Sequence, residues 1–432
     1  MHNSRSAPSA KPAKAPIPAL IKRNTALFAS AQALQGSGTQ MLTALGAVMV
    51  LTITGSATLT GIGVTMLQLA RIAVSYPLGK IADNYGRRPA MLAGLFFSMA
   101  GAPLLAMTTV WSNIYLFMLG AFVFGLGVGA TQQMRVAVTD MYPGTRRGEA
   151  LGYLLTGSLI GSFVAPILVS SAEYLSDIVG VHRLAMPWLL APITILPTVI
   201  AIMAVRPDPR DIASSLERYW PGEPPTPKRA PGRMAYREFM SSRPRLTAMF
   251  CYAPAQGVMS MLMASTPLVL ATHGHSLTRI SIAVTIHVLG MFAFSIPLGH
   301  LVDRYGRKKV IWGGLATSAI GALLVPFTDL YGIITVGIFL VGVGWSAAFV
   351  SATAIIADTT PAAERGRAIG LNDTSAALFT LALPLTGGLI AEHFGLMAVG
   401  ILGAVLTTLP MPLLARLRER APGQFDDAPA TA

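Results

Sequence analysis

The feature that most constrains this chain is a series of apolar segments, each close to the length of a membrane-crossing helix. They fall near 25–54, 58–81, 90–108, 113–139, 149–172, 185–205, 245–271, 277–302, 309–327, 330–357, 366–391 and 395–415. About 20 apolar residues cross the hydrocarbon of a bilayer as an α-helix. Lipid offers no partner for a free peptide group, so a spanning segment must satisfy its own backbone. Twelve such segments predict an all-α membrane protein. Composition agrees: 53% of the 432 residues are hydrophobic and only 12% are charged, where soluble domains carry about 25% charged residues.

One long polar break, from Arg206 to Arg245, divides the series. It holds Pro207, Pro209, Pro221, Pro224, Pro225, Pro227 and Pro231, a composition that suits a linker rather than a folded domain. The expected organisation is a disordered tail over 1–24, a six-helix half over 25–205, a Pro-rich linker over 206–244, a second six-helix half over 245–415, and a tail over 416–432.

The two halves repeat. Gly79, Asp83, Tyr85, Gly86 and Arg87 return as Gly299, Asp303, Tyr305, Gly306 and Arg307, an offset of 220. Asp140, Pro143, Arg147 and Gly148 return as Asp358, Pro361, Arg365 and Gly366, an offset of 218. Gly125 and Gly127 return as Gly342 and Gly344. An even number of spans in each half makes the repeat parallel across the membrane.

Charge placement predicts orientation. With the N-terminus in the cytoplasm, every Lys and Arg except Arg71, Arg135, Arg183 and Arg279 falls in a cytoplasmic segment, as the positive-inside rule requires. The net charge of +13 is thereby explained without nucleic acid. Both termini are expected in the cytoplasm and the chain in a bacterial-type inner membrane. The single cysteine, Cys251, excludes an intrachain disulfide and a cysteine-cluster metal site. No Gly-x-x-x-x-Gly-Lys-(Ser/Thr) loop occurs, so ATP hydrolysis is not expected; the reading is of a non-enzyme without a cofactor.

The repeated Gly-x-x-x-Asp-x-x-Gly-Arg-(Arg/Lys) pattern follows the second and the eighth spans. With twelve spans and a central linker it resembles the major facilitator superfamily signature. That resemblance implies a secondary transporter that exposes one central site alternately to each side. It also implies a gating clamp made by Gly79, Asp83, Gly86, Arg87 and Arg88 in one half and by Gly299, Asp303, Arg304, Gly306 and Arg307 in the other. The glycines are expected to permit close helix approach, and the aspartates to pair with the arginine cluster. Asn84 stands where the family usually has Arg.

The seventh and eighth spans carry candidate cargo ligands: Met259 with Met263, and His287 with Met291, each at i,i+4 spacing and so on one helical face. Both pairs lie about 14 residues from their cytoplasmic ends, roughly 21 Å at 1.5 Å per residue. Thioether sulfur and imidazole suit Cu(I). Methionine also fills apolar gaps, and with 21 in the chain a lone Met-x-x-x-Met is commonplace. Together the two motifs resemble the CcoA-like branch of the superfamily, whose members import copper or riboflavin.

Other intramembrane polar residues point to an organic cargo. Arg71 lies deep in the second span, where charge is costly and normally faces a cavity. Gln68, Gln132, Gln133 and Gln256 supply further hydrogen bonds. Asp373 is the candidate for coupling to protons, and His273 and His275 lie in the outer turn above the site. Copper uptake is the leading expectation, with riboflavin or a similar organic nutrient as the alternative. A non-transporting membrane sensor is the third reading, set against by two intact clamps and the lack of a soluble output domain.

Overall fold

The computed structural model describes residues 16–131, 133–143, 146–220, 236–360, 365–421 and 424–425. The first half contains α1 (Ala19–Thr54), α2 (Ile62–Tyr85), α3 (Arg87–Trp111), α4 (Ile114–Thr131, resuming at Gln133–Asp140), α5 (Arg147–Val179) and α6 (Met186–Leu190 and Pro192–Ala204). The second contains α7 (Arg243–Thr272), α8 (Leu277–Phe292 and Ser295–Tyr305), α9 (Arg307–Phe327), α10 (Tyr331–Asp358), α11 (Arg365–Phe394) and α12 (Leu396–Thr408 and Met411–Arg416). Eleven are long and apolar enough to cross a membrane by themselves. In α2 the apolar part is Ile62–Val74, but its 24 residues still extend about 36 Å.

The interruption of α8 has a local cause. Pro297 offers no N–H to the Ala293 carbonyl and its ring crowds that group, so the helix opens at Ala293 and Phe294 and restarts at Ser295. Pro77 occupies the equivalent place in α2, 220 residues earlier, and stays inside the helix.

Three expected boundaries shift. The first helix begins at Ala19 rather than after residue 24. Asn24 is fully buried and donates to the Arg206 carbonyl at 3.3 Å, while Arg23 Nη2 donates to the Ala204 carbonyl at 2.7 Å. The basic residues thus serve the helix end instead of preceding it. The first part of the linker is also folded. Short helices at Pro209–Ser214 and Leu216–Tyr219 bury Ile212, Leu216 and Trp220, and Trp220 Nε1 donates to the Met141 carbonyl at 2.9 Å. Most of its prolines lie within 221–235, outside the described residues. After Arg416 the chain forms a small antiparallel pair, Glu419–Ala421 with Gln424–Phe425, held because Glu419 receives the N–H groups of Arg307 and Lys308 at 2.9 Å.

The halves meet through α1 against α7 and α8, α2 against α11, and α5 against α8. Among the described residues, every hydrogen bond joining the halves lies between mid-depth and the end away from the termini. There the backbones touch. A Cβ on Gly61 would stand 2.1 Å from the Pro384 carbonyl oxygen, and one on Gly388 2.3 Å from that of Thr58. At the end that carries the termini, a Cβ on Gly79, Gly152, Gly299 or Gly370 would meet nothing within 4 Å. The bundle is shut at one end and open at the other.

Candidate functional site

A cavity of about 210 Å³ lies between the halves, walled by α1, α2, α4 and α5 from one side and α7, α8 and α11 from the other. Gln68, Arg71, Arg135, Gln256, Met259, Met263 and Met291 reach it. Its wall is therefore mixed: two guanidinium groups, several amides and three thioethers.

The cationic side is pre-arranged. Arg71 Nη1 donates to Gln68 Oε1 at 2.7 Å, one helical turn away, while Arg71 Nε is buried and has no hydrogen-bond partner. Gln35, also at the wall, donates to Ser98 Oγ at 2.9 Å and leaves its Oε1 buried and unmatched. Gln256 Oε1 accepts from Trp345 Nε1 at 2.5 Å and from the Tyr252 hydroxyl at 3.2 Å, which fixes the amide and commits its oxygen. Trp345 is itself stacked on Phe349, with centroids 5.3 Å apart and planes 7° from parallel. Buried polar atoms without partners cost about 1–3 kcal/mol each, and Arg71 Nε and Gln35 Oε1 are two such atoms behind a wall to which both residues contribute.

The expected four-ligand set is not assembled. Met259, Met263 and Met291 line the cavity, but His287 does not. It is fully buried, and its Nδ1 lies 2.7 Å from the Ile338 carbonyl in α10. A carbonyl only accepts, so Nδ1 carries the proton and Nε2 keeps a lone pair without a partner among the described residues. The repeat explains this placement. Gly342 admits His287, its added Cβ lying 3.2 Å from Nδ1, just as Gly125 admits Leu67. His287 stands 220 residues after Leu67 and occupies the same seam between helices. The face that α8 turns to the cavity carries Val288 and Met291, the counterparts of Gln68 and Arg71. Among the described residues no three His, Cys, Asp or Glu side chains form a metal-holding group.

The remaining candidates separate. Asp373 is exposed, is not among the residues lining the cavity, and lies within electrostatic reach of Arg135 and Tyr252. Gln133 is half-buried; Gln132 is outside the described residues. His273 and His275 sit in the turn between α7 and α8, at the end away from the termini, where His275 packs edge-on against Tyr331.

The clamp residues act within each half. Arg87 Nε pairs with Asp140 at 3.0 Å and Arg307 Nε with Asp358 at 2.9 Å. Arg88 donates to the Ile202 and Met203 carbonyls and Lys308 to those of Ala415 and Leu417, so each cation serves a helix C-terminus. Gly86 and Gly306 hold φ of 107° and 91°, values glycine adopts readily. Asp303 is 75% exposed and lies 3.5 Å from Arg307, the first residue of α9; the Asp83 side chain is outside the described residues. Arg304 stacks over Tyr305. A Cβ on Gly79 or Gly299 would meet nothing within 4 Å, so the close approach expected of them is absent from this conformation. The reason is that the bundle is open at their end.

Two six-helix halves around a central cavity, shut at one end and open at the other, define a membrane transporter of the alternating-access type. The chain belongs to the Major Facilitator Superfamily, whose model matches residues 28–268 and 248–430. It is 26% identical over 405 residues to the uncharacterized MFS-type transporter YdeG of Bacillus subtilis (strain 168), covering 93% of both chains. It is 26% identical over 355 residues to the riboflavin transporter RfnT of Brucella anthropi, covering 82% of this chain and 85% of that one. Among solved structures it resembles the nucleoside transporter NupG, with a TM-score of 0.66 at 15% identity over 92% of this chain and 98% of that one; this likeness bears on the fold.

Proposed function

We propose that this transporter carries a riboflavin-like nutrient, a planar heterocycle bearing carbonyl and N–H groups along one edge, into the cell. The observation that carries the reading is the Arg71 guanidinium at the cavity wall, in one lining with the amides of Gln35, Gln40 and Gln68. A guanidinium donates and an amide both donates and accepts, so this lining complements a carbonyl beside an N–H. A fixed cation is a poor neighbour for a copper ion, and His287 is occupied at Ile338. The three thioethers then form a bed for a ring, since sulfur contacts an aromatic system favourably by about 0.3–1.5 kcal/mol. The chamber of about 210 Å³ is smaller than the roughly 300–1,000 Å³ typical of organic-ligand sites. It takes the ring system, and the remainder of the cargo extends into the open cleft. With the termini in the cytoplasm, that cleft faces inward.

The test is side-by-side uptake of riboflavin and copper in cells lacking their own systems, at equal membrane abundance of each variant. Arg71→Ala is expected to stop riboflavin uptake, and Arg71→Lys to retain part of it because the charge stays while the planar fork is lost. The double Met259→Leu, Met263→Leu variant nearly conserves volume and is expected to weaken riboflavin uptake by a factor of about 10 or less. Copper accumulation by the parent that is lost in the double variant would overturn the proposal.

A further inference from the structure

Among the described residues, carboxylates receive backbone N–H groups at the starts of α3, α8 and α9 and in the turn before α2, and these four contacts form two pairs related by the internal repeat. In the first pair, Asp208 receives the N–H groups of Arg87 and Arg88 at the start of α3, both at 3.0 Å, and Glu419 receives those of Arg307 and Lys308 at the start of α9. In the second pair, Glu173 at the outer end of α5 receives Leu277 N at 3.0 Å, Thr278 N at 3.2 Å and the Thr278 hydroxyl. Glu392 at the outer end of α11 receives Thr58 N at 2.5 Å and the hydroxyls of Ser56 and Thr58. The residues themselves repeat: Ser56 and Thr58 return as Ser276 and Thr278 at offset 220, and Glu173 returns as Glu392 at offset 219.

The two pairs differ in what they join. Asp208 and Glu419 each cap a helix of their own half, so rocking of the halves leaves them intact. Glu173 belongs to the first half and caps α8 of the second; Glu392 belongs to the second half and holds the turn before α2 of the first. Both must separate whenever the outer end opens. A second tier below them follows the same symmetry. Thr65 Oγ1 donates to the Leu381 carbonyl at 3.2 Å, and Thr285 Oγ1, 220 residues on, donates to the Ser162 carbonyl at 2.7 Å.

We infer that Glu173 and Glu392 are the paired latches of the outer gate, positioning residues that set how often the transport cavity opens away from the termini. The chemistry suits the task. An anion at N–H groups that have no partner within their own helix is favoured both by hydrogen bonding and by the local dipole, and such charge-assisted bonds are stronger than neutral ones. They lie at the outer ends of the spans, so they can be exchanged for bonds to water once the halves part. An anionic latch therefore closes the gate without locking it. Two equivalent latches on either side of the pseudo-twofold axis resist opening evenly, so the halves separate by rocking about that axis.

The experiment follows labelling of a single cysteine at Gln40, a cavity residue, by an impermeant thiol reagent added outside intact cells. The background carries Cys251→Ser, and cargo is absent. Glu173→Gln and Glu392→Gln are each expected to raise the labelling rate by about tenfold, the effect of losing one charge-assisted bond. Because the latches share no residue, the double variant should multiply the two effects. Glu173→Gln combined with Thr278→Val should add little to Glu173→Gln alone, since both changes break one latch. Asp208→Asn and Glu419→Gln, the same chemistry within one half, should leave labelling at the parent rate. Thr58→Val and Thr278→Val remove only hydroxyl donors and serve if a carboxylate variant fails to reach the membrane. Parent-rate labelling in both latch carboxylate variants, or in both valine variants where these stand in for them, would overturn the inference. So would an equal rise in Asp208→Asn.

Discussion

Gly61→Ala gives a sharp test of the outer closure, because the conflict it creates exists in one conformation only. A methyl at this position would sit 2.1 Å from the Pro384 carbonyl oxygen, 2.3 Å from its carbon and 2.8 Å from Leu385 N. All three atoms are backbone of α11 in the opposite half, so no side chain can turn aside. Overpacking of this kind costs about 1–3 kcal/mol, and the cost disappears when the halves part at their outer end. The equilibrium between outer-closed and outer-open forms should therefore move by about 5- to 150-fold toward the open one. Gly127→Ala provides the contrast. Its Cβ would stand 2.0 Å from Ser98 Oγ and 2.6 Å from the Gly94 carbonyl oxygen, a conflict between α4 and α3 inside one half. It persists in every conformation and should appear as lost thermal stability of the detergent-purified protein. External thiol labelling at Gln40 reads the first effect and a melting curve the second. Unchanged labelling in Gly61→Ala, with a melting loss like that of Gly127→Ala, would refute the assignment of this contact to a gate.

Two further predictions follow from the charged groups. Asp358→Asn breaks the 2.9 Å pair with Arg307, whose side chain is only 11% exposed, and should lower stability by about 1–3 kcal/mol, seen as a reduced melting temperature with the gate equilibrium unchanged. Asp373, the proposed coupling residue, needs a protonatable carboxyl; Asp373→Asn should abolish accumulation against a gradient while sparing cargo exchange across vesicles, and loss of both would assign it to binding or folding instead.

The amino-acid sequence by itself determined the spans, the repeat and the family. Apolar length is a local property, and a chain this apolar has no stable alternative to helices in lipid. Duplicated residues at one spacing likewise announce two similar halves before any coordinate is known. The outer latches were legible in principle, since Ser56, Thr58 and Thr65 recur at the same offset as the Gly79 motif, yet nothing local marks a serine or a glutamate as bridging two halves. Tertiary structure decided the rest. It turned His287 onto the Ile338 carbonyl although spacing put it with Met291, because i,i+4 periodicity defines a face only to within a broad arc and the neighbouring Gly342 opened a place on its flank. It assigned Arg87 and Arg307 to Asp140 and Asp358, residues about 50 positions away that only helix packing brings near. It also showed which end is shut, since both conformations of an alternating bundle satisfy the same sequence pattern and differ only in which contacts between halves are made.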